Sequence, residues 1–438
     1  MERVRNAFLS LLRAGLWSRD PLEEGFSRLS AEEWDEVFRM SGRQTVTGIV
    51  FDGICRLPEE LQPSGVSFAR WVVAVDAMER RNATMDAALK DLVKLFVDSG
   101  LDPVLQKGQG IARLYPQPSH RECGDIDLYF SLRPLSQSKG SEKMVTSTGS
   151  VTGMKGPEKM VTSTGSVTGV ENQEGNGRGG LVSLSNHSDR ALELIEAKGI
   201  KVSRMPDGSH SYEWKGIEVE HHPAIVDLNG PFLKRWIRTL TDDPGTKPSP
   251  LADGLLEPST ELNALLLNAH ILKHAMGKGI GLRQMCDLAM VYHRMSESRG
   301  RQETGERIYC LYRRAWLQKW SRLLHSFLVD VIGLPEEELP YPERIVSVRP
   351  LLHIVEDGGN FGQYRSARFA RFARFVSLSN HSGRSASVPE PVEGQTRGKL
   401  VTAGMFVRRA GFSLRFAPNE AFWTVVNLAL GQLRSKRK

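Results

Sequence analysis

The sequence predicts an α+β chain whose strands gather in its middle and whose C-terminal half is helical. Three observations predict this. Apolar residues recur at helical spacing over residues 69–99. Two short runs, at 124–130 and 217–222, alternate apolar and acidic or polar side chains. From Pro258 onward the periodic segments carry the helical period.

In order, Val4, Phe8, Leu11, Leu12 and Leu16 recur at spacings of one helical face. Arg13 interrupts any apolar run, so this segment reads as an amphipathic helix rather than a signal peptide. No stretch of the chain approaches the roughly 18 apolar residues of a membrane span. Ser30-Ala-Glu-Glu33 has the form of a capping box, with Ser30 as N-cap, and predicts a helix through Met40. A further helical segment near 44–55 stops before Leu57-Pro58, and Pro63 to Gly65 marks a turn. Over 69–99, Trp71, Val75, Met78, Met85, Leu89, Leu92 and Phe96 form one stripe, with Asn82 in its single missing slot. Gly100 supplies the helix end, and 101–105 reads as a strand entering a turn at Lys107-Gly108.

Asp125 and Asp127 sit two residues apart in Gly124-Asp-Ile-Asp-Leu-Tyr-Phe130. On a strand Asp125, Asp127 and Tyr129 share one face, and Ile126, Leu128 and Phe130 the other. Residues 189–198 predict a short helix closed by Gly199, and 200–204 and 209–214 predict strands around a Pro206-Asp-Gly208 turn. Alternation returns at 217–222: Glu218, Glu220 and His222 fall on one face, Ile217 and Val219 on the other, and His221 breaks the apolar set. Ser259 or Thr260 then caps a helix with Leu262, Leu265, Leu266, Ala269 and Leu272. Helices over 282–295, 308–332, 344–355 and 420–433 follow.

Two stretches differ in kind. Residues 142–153 recur letter for letter at 158–169, and Val182-Ser-Leu-Ser-Asn-His-Ser188 recurs at 376–382. Two Ser/Thr/Gly-rich copies cannot build a shared solenoid core or bury enough surface to offset the entropy of ordering. About 135–188 and 376–398 are therefore expected to be low-complexity insertions with no catalytic role. The expected units are an N-terminal helical segment at 1–68, a middle domain at 69–250 and a helical domain at 251–438.

Composition sets outer limits. A hydrophobic fraction of 40% and a charged fraction of 25% suit a folded chain of 438 residues with more than one unit. A net charge of +7 would suit polyanions, yet a solvated basic face accounts for it more readily. Cys55, Cys123, Cys286 and Cys310 form no CxxC pair, which argues against a thiolate zinc site and for a reducing, cytoplasmic setting.

Two carboxylates on one strand and a third from a neighbour suit one or two Mg²⁺ ions, which would neutralise a triphosphate in an in-line displacement. Against this stands an edge strand whose acids merely meet solvent. The glycine turn upstream, whose N–H groups can approach phosphates, and the second acidic strand favour the metal reading.

Lys107-Gly108, Leu114-Tyr115-Pro116, Arg121, Gly124-Asp-Ile-Asp-Leu128 and Val219-Glu220-His221-His222 together resemble the uncharacterised nucleotidyltransferase family of the polymerase-beta-like superfamily. Gly281-Leu-Arg-Gln-Met-Cys-Asp287 and Gly359-Asn-Phe-Gly362 extend the resemblance into the helical half. It implies a mixed β-sheet flanked by helices, followed by an α-helical domain that closes over the nucleotide. It also implies that Asp125 and Asp127 bind Mg²⁺ or Mn²⁺, and that Glu220, with Glu218 competing, completes the triad and helps deprotonate an acceptor hydroxyl. Lys107 and Gly108 match the phosphate turn, although Gln109 follows Gly108 where the superfamily has Ser or Gly. The expected substrates are a nucleoside triphosphate and a hydroxyl-bearing small molecule, protein or RNA. The alternatives are an inactive nucleotide-binding module of the same fold and an RNA-binding protein.

Other candidates are subsidiary. His270 and His274 lie one helical turn apart but lack an evident third zinc ligand. Gly277 to Gly281, with Lys278, reads as a helix-joining turn, and Arg283 as a nucleotide contact. Arg121 pairs with Asp125 or Asp127, or meets phosphate. The basic and aromatic run at 367–375 is the one RNA-binding candidate.

Overall fold

The computed structural model describes residues 2–22, 26–130, 187–205, 208–242, 245–277, 279–358 and 409–435. The insertions expected at about 135–188 and 376–398 lie outside these residues, apart from His187 and Ser188. So do Lys278, the 359–362 motif and the 367–375 run.

The N-terminal helices pack at glycines. Helix α1 (Glu2–Trp17) crosses α3 (Thr47–Ile54) so closely that a Cβ on Gly15 would lie 1.9 Å from the Ile49 carbonyl oxygen. One on Gly53 would lie 2.1 Å from that of Leu11. Between them, α2 (Ala31–Gln44) opens with the expected capping box: Glu33 N–H donates to Ser30 Oγ at 3.3 Å and Ser30 N–H to Glu33 Oε2 at 2.9 Å. Helix α4 (Gly65–Asp98) buries the whole predicted stripe from Trp71 to Phe96. Asn82 occupies its slot in that stripe by hydrogen bonding a loop: its Nδ2 donates to the Ser119 and Arg121 carbonyls at 2.8 and 3.0 Å, and its Oδ1 accepts from Cys123 N–H at 3.3 Å.

The chain then enters a mixed sheet that has seven strands among the described residues, in the order β3-β4-β5-β2-β1-β7-β6. Strand β1 (Pro103–Gln106) is followed by a short helix, α5 (Gly108–Ala112), and by β2 (Ile126–Phe130) at the centre. After α6 (His187–Ala197) come β3 (Ser203–Arg204), β4 (His210–Trp214) and β5 (Ile217–His221). Helix α7 (Pro231–Asp242) precedes β6 (Lys247–Pro248) and β7 (Leu256–Glu257). Strand β2 runs antiparallel to β1 and parallel to β5. Both faces of β2 are buried, as a central strand between two layers requires. Ile126, Leu128 and Phe130 join Leu92, Phe96 and Ile195 in one apolar cluster. Tyr129 joins Val104, Leu256 and residues of the N-terminal and C-terminal helices in the other.

Among the described residues the helical half comprises α8 (Thr260–Met276), α9 (Leu282–Ser296), α10 (Arg301–Arg314), α11 (Gln318–Phe327), α12 (Arg349–Gly358), α13 (Ala410–Phe416) and α14 (Pro418–Ser435). The single helix expected over 308–332 is broken, because Trp316 takes a positive φ of 61° between α10 and α11. A wide π turn at Leu328–Ile332 then ends α11, and α1 satisfies its last carbonyls. Arg13 donates to Val331 and Asp330 at 3.0 and 2.7 Å, and Trp17 Nε1 to Ile332 at 2.8 Å. No helix among the described residues is long and apolar enough to cross a membrane.

Candidate active site

Strand register builds the site. Parallel pairing of β2 with β5 sets Asp127 opposite Glu220, and antiparallel pairing with β1 sets it opposite Gln106. Glu218 instead faces Glu213 across β4 and is exposed, so the pairing brings Glu220 and not Glu218 to Asp127. Asp125 lies just before β2. The negative charge of Asp127, followed by burial, pushes its carboxyl up to about 6, and Lys107 and Arg283 oppose the rise.

Lys107 follows β1 in a sparsely populated conformation, φ 51° and ψ −140°, before Gly108 at φ 44°. Such a backbone costs on the order of 1–3 kcal/mol and persists only where the surroundings hold it. Here the turn folds the lysine back over β2, with Nζ 3.2 Å from Asp127 Oδ1. The same oxygen accepts from His222 Nε2 at 2.6 Å, and that nitrogen lies 3.5 Å from Glu220 Oε2. Burial opposes ionisation of Asp127, but Lys107 and His222 outweigh it and hold the carboxyl below its ordinary range.

His222 belongs to the face that alternation predicts, though the resemblance gives it no role. Its backbone N–H continues the ladder, donating to the Leu128 carbonyl at 2.8 Å. His221 points the other way, between Phe96 and Phe130, and meets Tyr212 Oη at 2.8 Å. Burial lowers it to about 3, so it stays neutral within the apolar cluster.

The two arginines take different positions. Arg121 has neither of its expected carboxylate partners: its guanidinium is closed on Asp287 of α9, with Nε 3.1 Å from Oδ1 and an amino nitrogen 2.6 Å from Oδ2. Tyr115 Oη donates to the same carboxylate at 2.7 Å. This pair fastens the 113–124 loop to the helical half while Asn82 fastens it to α4. A third tie is His120, whose Nδ1 lies 2.6 Å from Asp52 and whose Nε2 lies 3.1 Å from Glu79. Arg283, in the first turn of α9, donates to the Glu122 carbonyl at 2.8 Å and stands close enough to Asp125 to lower its pKa.

Helix α8 brings His270 and His274 together, ring centroids 4.4 Å apart. Burial and then the nearby Lys107 charge push His270 well below the ordinary histidine range. Among the described residues the one group of three potential metal ligands is Asp127, Glu220 and His222, whose ligand atoms all lie within 4.8 Å of one another. Gln109, next to the glycine turn, is 4% exposed, and neither the oxygen nor the nitrogen of its side-chain amide has a hydrogen-bond partner.

Comparison with curated proteins and with solved structures returned no match. The family described as "Uncharacterised nucleotidyltransferase" matches residues 30–139 and 181–328. These spans cover the strands that carry Asp127 and Glu220 and more than half of the chain. The chain belongs to the uncharacterised nucleotidyltransferase family.

Proposed function

We infer that the protein transfers an NMP group from a nucleoside triphosphate to a hydroxyl acceptor, with a divalent ion bound between β2 and β5. The observation that carries this reading is the register that sets Asp127 opposite Glu220 with Lys107 over them. Two carboxylates and an imidazole within 4.8 Å are a donor set that fits a divalent ion. Asp127 and Glu220 would hold it, Asp125 would contribute from the strand entrance, and Mg²⁺ or Mn²⁺ bound there would neutralise charge on the triphosphate.

The chain's own groups supply the rest. Lys107 and the N–H groups of the Gly108 turn bind the β- and γ-phosphates, and Arg283 approaches the nucleotide from α9. Glu220 accepts the proton of the acceptor hydroxyl as its oxygen bonds to the α-phosphorus. The bond from that phosphorus to the bridging oxygen breaks, and pyrophosphate leaves. Arg121 acts indirectly, by fixing the loop that leads into Asp125. Catalysis belongs to the unit at 69–250, with the helices of 251–438 closing over the nucleotide. The four unpaired cysteines support a reducing, cytoplasmic compartment.

Calorimetric titration of Mg²⁺ or Mn²⁺ with a panel of NTPs into the wild type and Asp125→Asn/Asp127→Asn tests the reading. Metal-dependent binding is expected in the wild type alone, with pyrophosphate released when the acceptor is present. Equal affinity in both proteins would refute it.

A further inference from the structure

His222 stands beside the two carboxylates, and a purely acidic metal site gives it no part. Its Nε2 lies 2.6 Å from Asp127 Oδ1 and 3.5 Å from Glu220 Oε2. An imidazole that only oriented Asp127 would need to meet one carboxylate; this nitrogen reaches both. Its position is set by the strand ladder through the hydrogen bond to Leu128 rather than by a free loop. Asp125, by contrast, stands outside the group of ligand atoms that gather within 4.8 Å.

Resting on the nucleotidyltransferase reading above, we propose that His222 Nε2 is a direct metal ligand with Asp127 and Glu220, making a site selective for first-row transition ions such as Mn²⁺ over Mg²⁺. The chemistry of the donors carries the selectivity. Mg²⁺ prefers oxygen ligands in a near-ideal octahedron and gives up water reluctantly. Imidazole nitrogen favours transition ions, and affinity at mixed nitrogen and oxygen sites rises along the first-row series from Mn²⁺. Lys107 shares Asp127 Oδ1 at 3.2 Å, and its long flexible stem lets it move to the phosphates as an ion enters.

The test uses the full chain and Mn²⁺ alone, with electron paramagnetic resonance reporting free ion and pulsed measurements reporting nitrogen coupled to bound ion. The proposal expects ¹⁴N coupling in the wild type and displacement of Mn²⁺ only by Mg²⁺ in large excess. In His222→Ala the coupling disappears and Mn²⁺ affinity falls at least about tenfold. Bound Mn²⁺ without nitrogen coupling, coupling that persists in His222→Ala, or even competition by Mg²⁺ would overturn the proposal. Those outcomes leave the carboxylate site and the transferase reading standing. The control Asp127→Asn separates the two: if it leaves wild-type Mn²⁺ affinity unchanged, the metal site between β2 and β5 falls, and this proposal with it.

Discussion

Replacing Asp287 by Asn should destabilise the protein by about 3–5 kcal/mol, the usual cost of removing one partner from a buried ion pair. The side chains of Arg121 and Asp287 are 5% and 2% exposed, so the guanidinium left behind has no anion and almost no water. Two charge-assisted bonds, at 3.1 and 2.6 Å, lose their charge together, and the Tyr115 hydroxyl keeps only a neutral acceptor. The double variant Arg121→Met/Asp287→Leu removes both charges, and apolar replacement of a buried pair is often close to neutral. It should recover all but about 1–2 kcal/mol of the loss. Urea unfolding followed by tryptophan fluorescence gives all the corners of the cycle when Arg121→Met and Asp287→Leu are added. A nucleotide titration on Arg121→Met separates a structural from a phosphate-binding role. A stability loss below about 1 kcal/mol, combined with loss of NTP affinity in Arg121→Met, would show that the pair is not a structural tie and return Arg121 to the nucleotide.

Gly53→Ala should cost at least about 2 kcal/mol in the same assay, because its methyl would meet the Leu11 carbonyl at 2.1 Å in a backbone crossing that cannot give way cheaply. Gln109→Met should raise stability by about 1 kcal/mol or more by removing a buried carboxamide with no partner, and should weaken NTP binding if that amide meets substrate. Lys107→Met should tighten binding of Mn²⁺ alone about tenfold by removing a competing cation beside Asp127, while weakening NTP binding. His120 gives a pH signature. Burial lowers its pKa, but Asp52 and Glu79 outweigh burial and leave it raised above 6.5. Its contribution is therefore full below pH 6.5 and is lost as pH rises through the higher folded value. The stability gap between wild type and His120→Gln should be wider at pH 6 than at pH 9, and a flat gap would show that the contacts are not ionic.

Local periodicity made much of this structure legible. The stripe from Trp71 to Phe96 and the Ser30–Glu33 box are local features, and both appear as expected. Alternation also gave the face that carries Asp127, and the face of β5 that carries Glu220 and His222. It could not choose between Glu218 and Glu220, since both satisfy a period of two and only pairing with β2 decides. Asn82 shows the same limit in reverse: a polar residue in an apolar slot is explained by a loop about forty positions away. The Arg121 charge announced a partner but not that it would be Asp287, because ion pairing across a fold leaves no trace in spacing. Strands β6 and β7, two residues each, are too short to show a period. Helix α7 carries a signal of its own in the sequence: Pro231 opens it, and Leu233, Trp236, Ile237 and Leu240 keep helical spacing.

The pairing of Asp127 with Glu220 joins strands that are distant in the chain, and this makes the site a sensor of correct assembly. A slip of one residue between β2 and β5 would turn Val219 or His221 toward Asp127 and face Glu220 into the apolar cluster. Any ligand gripped by both carboxylates therefore recognises a single alignment of the sheet. At a hundred times its dissociation constant it would favour that alignment by about 2.7 kcal/mol over chains that cannot bind it. Such a ligand would thus also act as a folding template, enriching the chains whose central strands have met in the working frame.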